Sequence, residues 1–162
     1  MNVKRNSFLV GLSFVASGLL LVTCKQLDVY EKYTTIPKYE WGSDFIAKGS
    51  FTITDTLAFY NVFLVLRHTD AYKYNNIWLN IGRQPPNDSF HYQKVNIRLG
   101  EDATGWEGSG MNDIWEVRTP LNAEPWHFKN GVYNFSMAQI MRDNPLLHIM
   151  SVGLRIEKLG EQ

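Results

Sequence analysis

Cys24 is the residue of this 162-residue chain whose neighbours give its side chain a definite chemistry. It is the only cysteine, and Leu21-Val22-Thr23-Cys24 has the layout of a bacterial lipobox: an aliphatic residue three places before the cysteine and a small residue just before it. A thiol in that setting is diacylated first, and the peptide bond preceding it is then cut. Thr23 is larger than the usual Gly, Ala or Ser and is the local departure from the pattern. Two or three acyl chains on one residue hold a protein stably at a bilayer, whereas a single chain binds only marginally. The competing reading leaves Cys24 as a buried thiol in the tail of an uncleaved anchor.

Elsewhere the search for chemistry returns little. His68, His91, His127 and His148 are isolated from one another, with no HExxH pair and no His-Cys spacing that builds a metal site. His68 and His148 fall in strand-like runs and read as structural histidines. No Gly-x-Ser-x-Gly elbow is present and the one thiol is committed to lipid, so nucleophilic catalysis lacks a nucleophile. One cysteine also excludes an intramolecular disulfide and a multi-cysteine zinc site. Two carboxylates about 5 to 10 Å apart would suit a glycosidase, but nearly any chain with 16 acidic residues supplies such a pair. Glu101, Asp102 and Glu107 crowd one loop without the spacing or glycine placement of an EF-hand, and read as a solvated acidic loop. No cofactor is expected.

That loop, Gly100 to Gly110, is the most unusual stretch of the chain. Its four glycines, Gly100, Gly105, Gly108 and Gly110, let the backbone take positive φ and approach other surfaces closely, and Trp106 is a large amphipathic anchor of the kind found at binding hot spots. Of these, Gly105, Trp106, Gly108 and Gly110 are the candidate partner-facing loop. Either a partner uses the ring, or Trp106 plugs one end of the domain, which is the weightier of the two. Five tryptophans also raise a sugar-stacking face, and Trp78 is the one whose strand pattern points outward.

The elements that must carry these residues follow from hydrophobic patterning. Lys4 and Arg5 precede the uncharged run Phe8 to Leu20, a secretory h-region, and the 15 residues from Phe8 to Val22 are short for a spanning helix of about 20. Residues 1–23 therefore read as a cleaved lipoprotein signal peptide and 24–40 as the lipidated N-terminus and a tyrosine-rich tether. Residues 41–162 read as one domain. Within it the period is two: Phe51 and Ile53; Ile77, Leu79 and Ile81; Val95, Ile97 and Leu99; Tyr133, Phe135 and Met137; and Met150, Val152, Leu154 and Ile156 each share a face. Phe59 to Leu66 is almost continuously apolar, as in a strand buried on both faces, while Met137 to Arg142 has some helix propensity. Seven or so short strands separated by turn-rich breaks predict an all-β fold, a single antiparallel β-sandwich of jelly-roll or Ig-like type. Sixteen Lys and Arg balance sixteen Asp and Glu, so the basic surplus that phosphate binding requires is missing and no nucleic-acid partner is expected.

One resemblance spans essentially the whole chain after the cysteine. Tyr33-Thr34-Thr35-Ile36-Pro37 with Trp41, Ile53-Thr54-Asp55-Thr56, Tyr60-Asn61-Val62, Leu66-Arg67-His68, Gly105 to Gly110, Gln139 to Arg142 and Val152 to Lys158, in that order and spacing, resemble the gliding-motility lipoprotein GldH family of Bacteroidota. The resemblance implies a cell-envelope lipoprotein required for gliding in motile members, whose apparatus is tied to the type IX secretion system, and implies no catalytic activity. Its expected partners are the membrane, through lipid on Cys24, and envelope proteins of that machinery, with no small-molecule substrate. Lys25-Gln26 lacks the acidic run associated with surface display, which favours the outer membrane and its periplasmic face. Two other classes stay open: a glycan-binding surface lipoprotein, which needs aromatic rings in a row or a concave polar groove, and an envelope hydrolase, which needs an acid pair in a pocket.

Overall fold

The computed structural model describes residues 29–159, so the signal peptide, Cys24 and residues 25–28 lie outside the described residues. What it describes is all-β and antiparallel, as expected. The larger sheet has the order β1 (Val29–Thr35), β14 (Ile149–Lys158), β4 (Phe59–Thr69), β10 (Ile114–Pro120) and β9 (Ser109–Met111), with β11 (Trp126–His127) also pairing with β4. The second sheet runs β3 (Ala47–Ile53), β12 (Gly131–Gln139), β5 (Asn76–Gln84) and β6 (His91–Arg98). Two small ladders complete it: β2 (Glu40–Trp41) with β13 (Leu146–Leu147), and β7 (Gly100–Glu101) with β8 (Gly105–Trp106). Among the described residues no helix is long and apolar enough to cross a membrane.

Both main sheets feed one core, because each strand alternates. From the four-stranded sheet come Phe51, Ile53, Ile77, Leu79, Ile97, Tyr133, Phe135 and Met137; from the six-stranded sheet come Val62, Leu64, Leu66, Val117, Val152, Leu154 and Ile156. Each such side chain contributes about 1.5 to 3 kcal/mol when taken out of water. Phe51 stacks on Tyr133 with centroids 5.2 Å apart, and Phe128 closes on the same pair edge-on. Tyr30 of β1 lies against Phe51 and donates to the Ser50 carbonyl, which joins the two sheets along that side.

Several readings change here. Residues 29–35, expected in the tether, pair with β14 over seven residues, and the following Ile36 is wholly buried with its N–H bonded to Met150 O. An edge strand buries one flank and part of one face, so its sequence carries no clear apolar period. Met137 to Gln139 continue β12 rather than starting a helix, because Met137 packs in the core and its neighbours pair with β5. A bulge between Ile149 and Ser151 shifts the register of β14, so Ile149 rather than Met150 is fully buried at its start. His148 is not in a strand: it occupies a turn at φ 70 between β13 and β14. β4 is not evenly buried on both faces; Tyr60, Val62, Leu64, Leu66 and His68 face the core, and on the other face Val65 is covered while Phe59 and Arg67 are exposed.

Candidate functional site

Strand direction sets where the loops meet. β1 begins beside the end of β14 and the start of β4, so the chain enters the domain at the end that also carries loops 54–58, 85–90 and 121–125. The Gly100–Gly110 loop lies at the opposite end of the strands. It folds as a tight hairpin, with Gly100 opposite Trp106 and Glu107 N–H bonded to Leu99 O. The Trp106 ring turns inward: it is half-buried, meets His68 edge-on at 4.6 Å and lies 6.3 Å from Tyr72. It therefore plugs this end of the core.

The glycines named with it are not equivalent. Gly105 takes φ 81 in open space. Gly108, at φ 88, passes so close to β10 that a Cβ would stand 2.1 Å from the Glu116 carbonyl oxygen, and a Cβ at Gly110 would strike the Trp115 ring at 2.8 Å. The structure spends Trp106, Gly108 and Gly110 on internal packing. Two of the three acidic residues of the loop are spoken for as well, since Arg98 holds both Glu101 and Glu107 at 2.5 Å. Among the described residues no three His, Cys, Asp or Glu side chains gather to hold a metal ion.

His68 is fully buried, and burial pushes its pKa below the ordinary value, so the ring is neutral. Its Nδ1 lies 2.9 Å from Thr69 O and donates to it, because a carbonyl can only accept. Its Nε2 has no partner among the described residues.

The two outward faces differ in character. On the six-stranded sheet, Arg155 bridges Glu31 and Glu157, Arg118 joins Glu31 at 3.9 Å to Glu116 at 2.8 Å, and Arg67 pairs with Glu116 at 2.6 Å. Arg67 also sits 4.9 Å over the Tyr33 ring. That ring lies across Gly153, where a Cβ would come within 2.9 Å of it. Burial alone would raise the Glu116 carboxyl, but hydrogen bonds from Arg67 and Arg118 hold it below its usual value. Three arginines and three glutamates thus neutralise one another above a covered Val65.

The outward face of the four-stranded sheet carries Lys48, Asn134, Ser136, Asn80, Trp78, Tyr92, Lys94 and Asn96, by register opposite the buried set. Between this sheet and the loop after β10, a cleft of about 200 Å³ opens beside β6, lined by Val62, Ile81, Val95, Leu121, Trp126 and Phe128. Arg83 lies 4.7 Å over the Trp126 ring at its mouth. β6 itself is the last strand of its sheet and its outer edge is unpaired among the described residues.

Fold and surfaces together define an all-β antiparallel domain whose distinctive features are faces and an open strand edge. Comparison with known proteins gives the family. The GldH lipoprotein model matches residues 28–156, and the chain belongs to that family. It is 26% identical over 152 residues to a gliding motility lipoprotein GldH homolog of Christiangramia forsetii, covering 90% of this chain and 93% of that protein. It is 27% identical over 170 residues to the gliding motility lipoprotein GldH of Flavobacterium johnsoniae, covering 98% of this chain and 99% of that one.

Proposed function

We propose that the chain is a lipid-anchored accessory component of gliding motility and the type IX secretion machinery, acting through protein contacts and without catalysis of its own. The observation that carries this is the near full-length match to relatives named as gliding motility lipoproteins. On this reading residues 1–23 are removed, Cys24 is acylated, and the domain, a β-sandwich, faces the periplasm from the outer membrane. The unpaired β6 edge beside an apolar cleft supports the protein-contact part, because an extended segment adding to such an edge gains main-chain hydrogen bonds and a pocket for one side chain. The exposed rim of the Gly100–Gly110 loop, at the end away from the chain's entry, offers a second contact while Trp106 stays packed.

The test is a crosslinked pulldown of the lipoprotein from its native envelope with Cys24→Ala as the anchoring control. Motility or secretion subunits recovered with the native chain and lost with Cys24→Ala are the expected result. Recovery of background proteins alone from the anchored chain sinks the reading.

A further inference from the structure

We infer that the outward face of the four-stranded sheet is a binding platform for an acidic polysaccharide. A groove of about 380 Å³ crosses this face, lined by Lys48, Asn80, Phe90, Tyr92, Asn134 and Ser136. Its wall is aromatic and fixed: Phe90 stacks on Tyr92 with centroids 5.7 Å apart at 22°, and Tyr92 lies down over Gly82, where a Cβ would come within 2.7 Å of its ring. Tyr92 is nonetheless 62% exposed, an open amphipathic ring of the kind sugar rings stack against. Trp78, 42% exposed, stands on the same face four residues before Gly82, about 13 Å along β5 at 3.3 Å per residue.

Of the polar groups beside these rings, Asn134 is engaged, its Nδ2 donating to Gln84 Oε1 at 2.8 Å, and the others are unspent. Lys48, Lys94, Asn80 and Ser136 have no side-chain hydrogen bond or ion pair among the described residues, and donors and acceptors of this kind suit hydroxyl groups. The contrast with the other sheet decides the ligand's charge. There every arginine on the face has its carboxylate; here the outward positions of the four strands carry no acidic residue, and while Arg98 at the end of β6 is held by Glu101 and Glu107 of the adjoining loop, Lys48 and Lys94 have no carboxylate partner among the described residues. Two unpaired ammonium groups flanking stacked rings and open amides are complementary to a sugar chain bearing carboxylates. Sequence alternation placed Lys94, Asn96 and Arg98 on the outer side of their strand, but the meeting of Lys48, Asn80 and Tyr92 depends on the register of three strand pairs.

The inference is independent of the motility reading and is tested on the lipidated full chain in detergent, with polygalacturonate as the acidic probe, dextran as the neutral one and poly-glutamate as the acidic peptide. Native protein should bind polygalacturonate, with Tyr92→Ala and Lys48→Ala/Lys94→Ala each weakening binding by about tenfold or more while leaving the thermal midpoint unchanged. Absence of binding to polygalacturonate overturns the inference. So does equal affinity for poly-glutamate, or binding that Tyr92→Ala leaves intact and that about 0.5 M salt abolishes, since each reports charge attraction without sugar recognition. Dextran bound as well as polygalacturonate also refutes the acidic assignment.

Discussion

Gly105 and Gly108 stand three residues apart in one loop, and alanine at each tests whether the loop is a displayed feature or a packed one. At Gly105 the added methyl meets nothing within 4 Å, so the cost is the left-handed backbone at φ 81 alone, about 1 to 2 kcal/mol. At Gly108 the same backbone cost applies at φ 88, and the methyl would also stand 2.1 Å from the Glu116 carbonyl oxygen. That oxygen belongs to β10, which is held between β4 and β9, so it cannot yield without opening a ladder. Overpacking of this sort adds about 1 to 3 kcal/mol. For a domain of this size each kcal/mol moves the thermal midpoint by about 2 to 4 °C. Gly105→Ala should therefore lower it by about 2 to 8 °C and Gly108→Ala by about 4 to 20 °C, roughly twice as far, read by circular dichroism of the two purified variants side by side. Equal shifts, or the larger shift at Gly105, would refute the packing argument. Gly110 is not at positive φ, so Gly110→Ala carries no left-handed backbone cost and meets only the Trp115 ring, which can rotate; its shift should be smaller than that of Gly108→Ala.

The remaining predictions concern the buried and charged groups. Trp106→Ala should cost about 2 to 3 kcal/mol by denaturant unfolding, below the range for a fully buried ring because Trp106 is half-buried; a loss under about 0.5 kcal/mol would mean the ring is not a plug. The folded pKa of His68 lies below its ordinary 6.5, so the unfolded chain takes up a proton first as pH falls. Its neutral burial costs nothing above about pH 6.5 and destabilises progressively below it down to the folded value; in His68→Phe that part of the slope should vanish from midpoint-versus-pH curves. Glu116 has the opposite linkage: its depressed pKa adds stability above its usual 4.5 that is lost as pH falls through the folded value. Glu116→Gln should lower stability by about 1 kcal/mol at pH 7, discounted for the half-exposed arginines, and the difference from the native chain should shrink as pH falls below 4.5 and close once the folded carboxyl is protonated.

Long core strands were legible because both sheets bury one face each. Ile77, Leu79 and Ile81 alternate with Trp78 and Asn80, and the structure buries the first set and leaves Trp78 exposed. β1 was not legible for the complementary reason: its one apolar contact with the core among the described residues is the partly buried Tyr30, the wholly buried Ile36 follows the strand, and Glu31, Lys32 and Tyr33 between them are partly or fully in water. Edge strands take their stability from main-chain pairing, which leaves little trace in side-chain pattern. His148 and the Ile149 bulge escaped because a single left-handed residue and a one-residue insertion shift register without altering composition. At the loop, residue types correctly flagged close approach, but whether Trp106 faced a partner or the core depended on His68 and Tyr72, more than 30 residues earlier in the chain.

The placement of β1 also fixes how the domain would transmit load from an anchor at Cys24. Four residues lie between Cys24 and Val29, five Cα steps with a reach of at most about 18 Å, so with Cys24 acylated the entry end of the domain would sit close to the bilayer. A pull on the anchor enters at Val29 and runs along the axis of β1. If a partner resists at the opposite end, where the Gly100–Gly110 loop lies, β1 and β14 are loaded in shear over their seven paired residues rather than peeled apart from one end. The Glu31 to Arg155 bridge spans the same two strands, and Tyr33 rests on Gly153 two pairs further along, so side-chain contacts share that load with the ladder. The network on this face therefore reinforces the pair through which an anchor would pull. The four-stranded sheet lies outside that path, so the lysines on its outward face, Lys48 and Lys94, take no part in bearing the load.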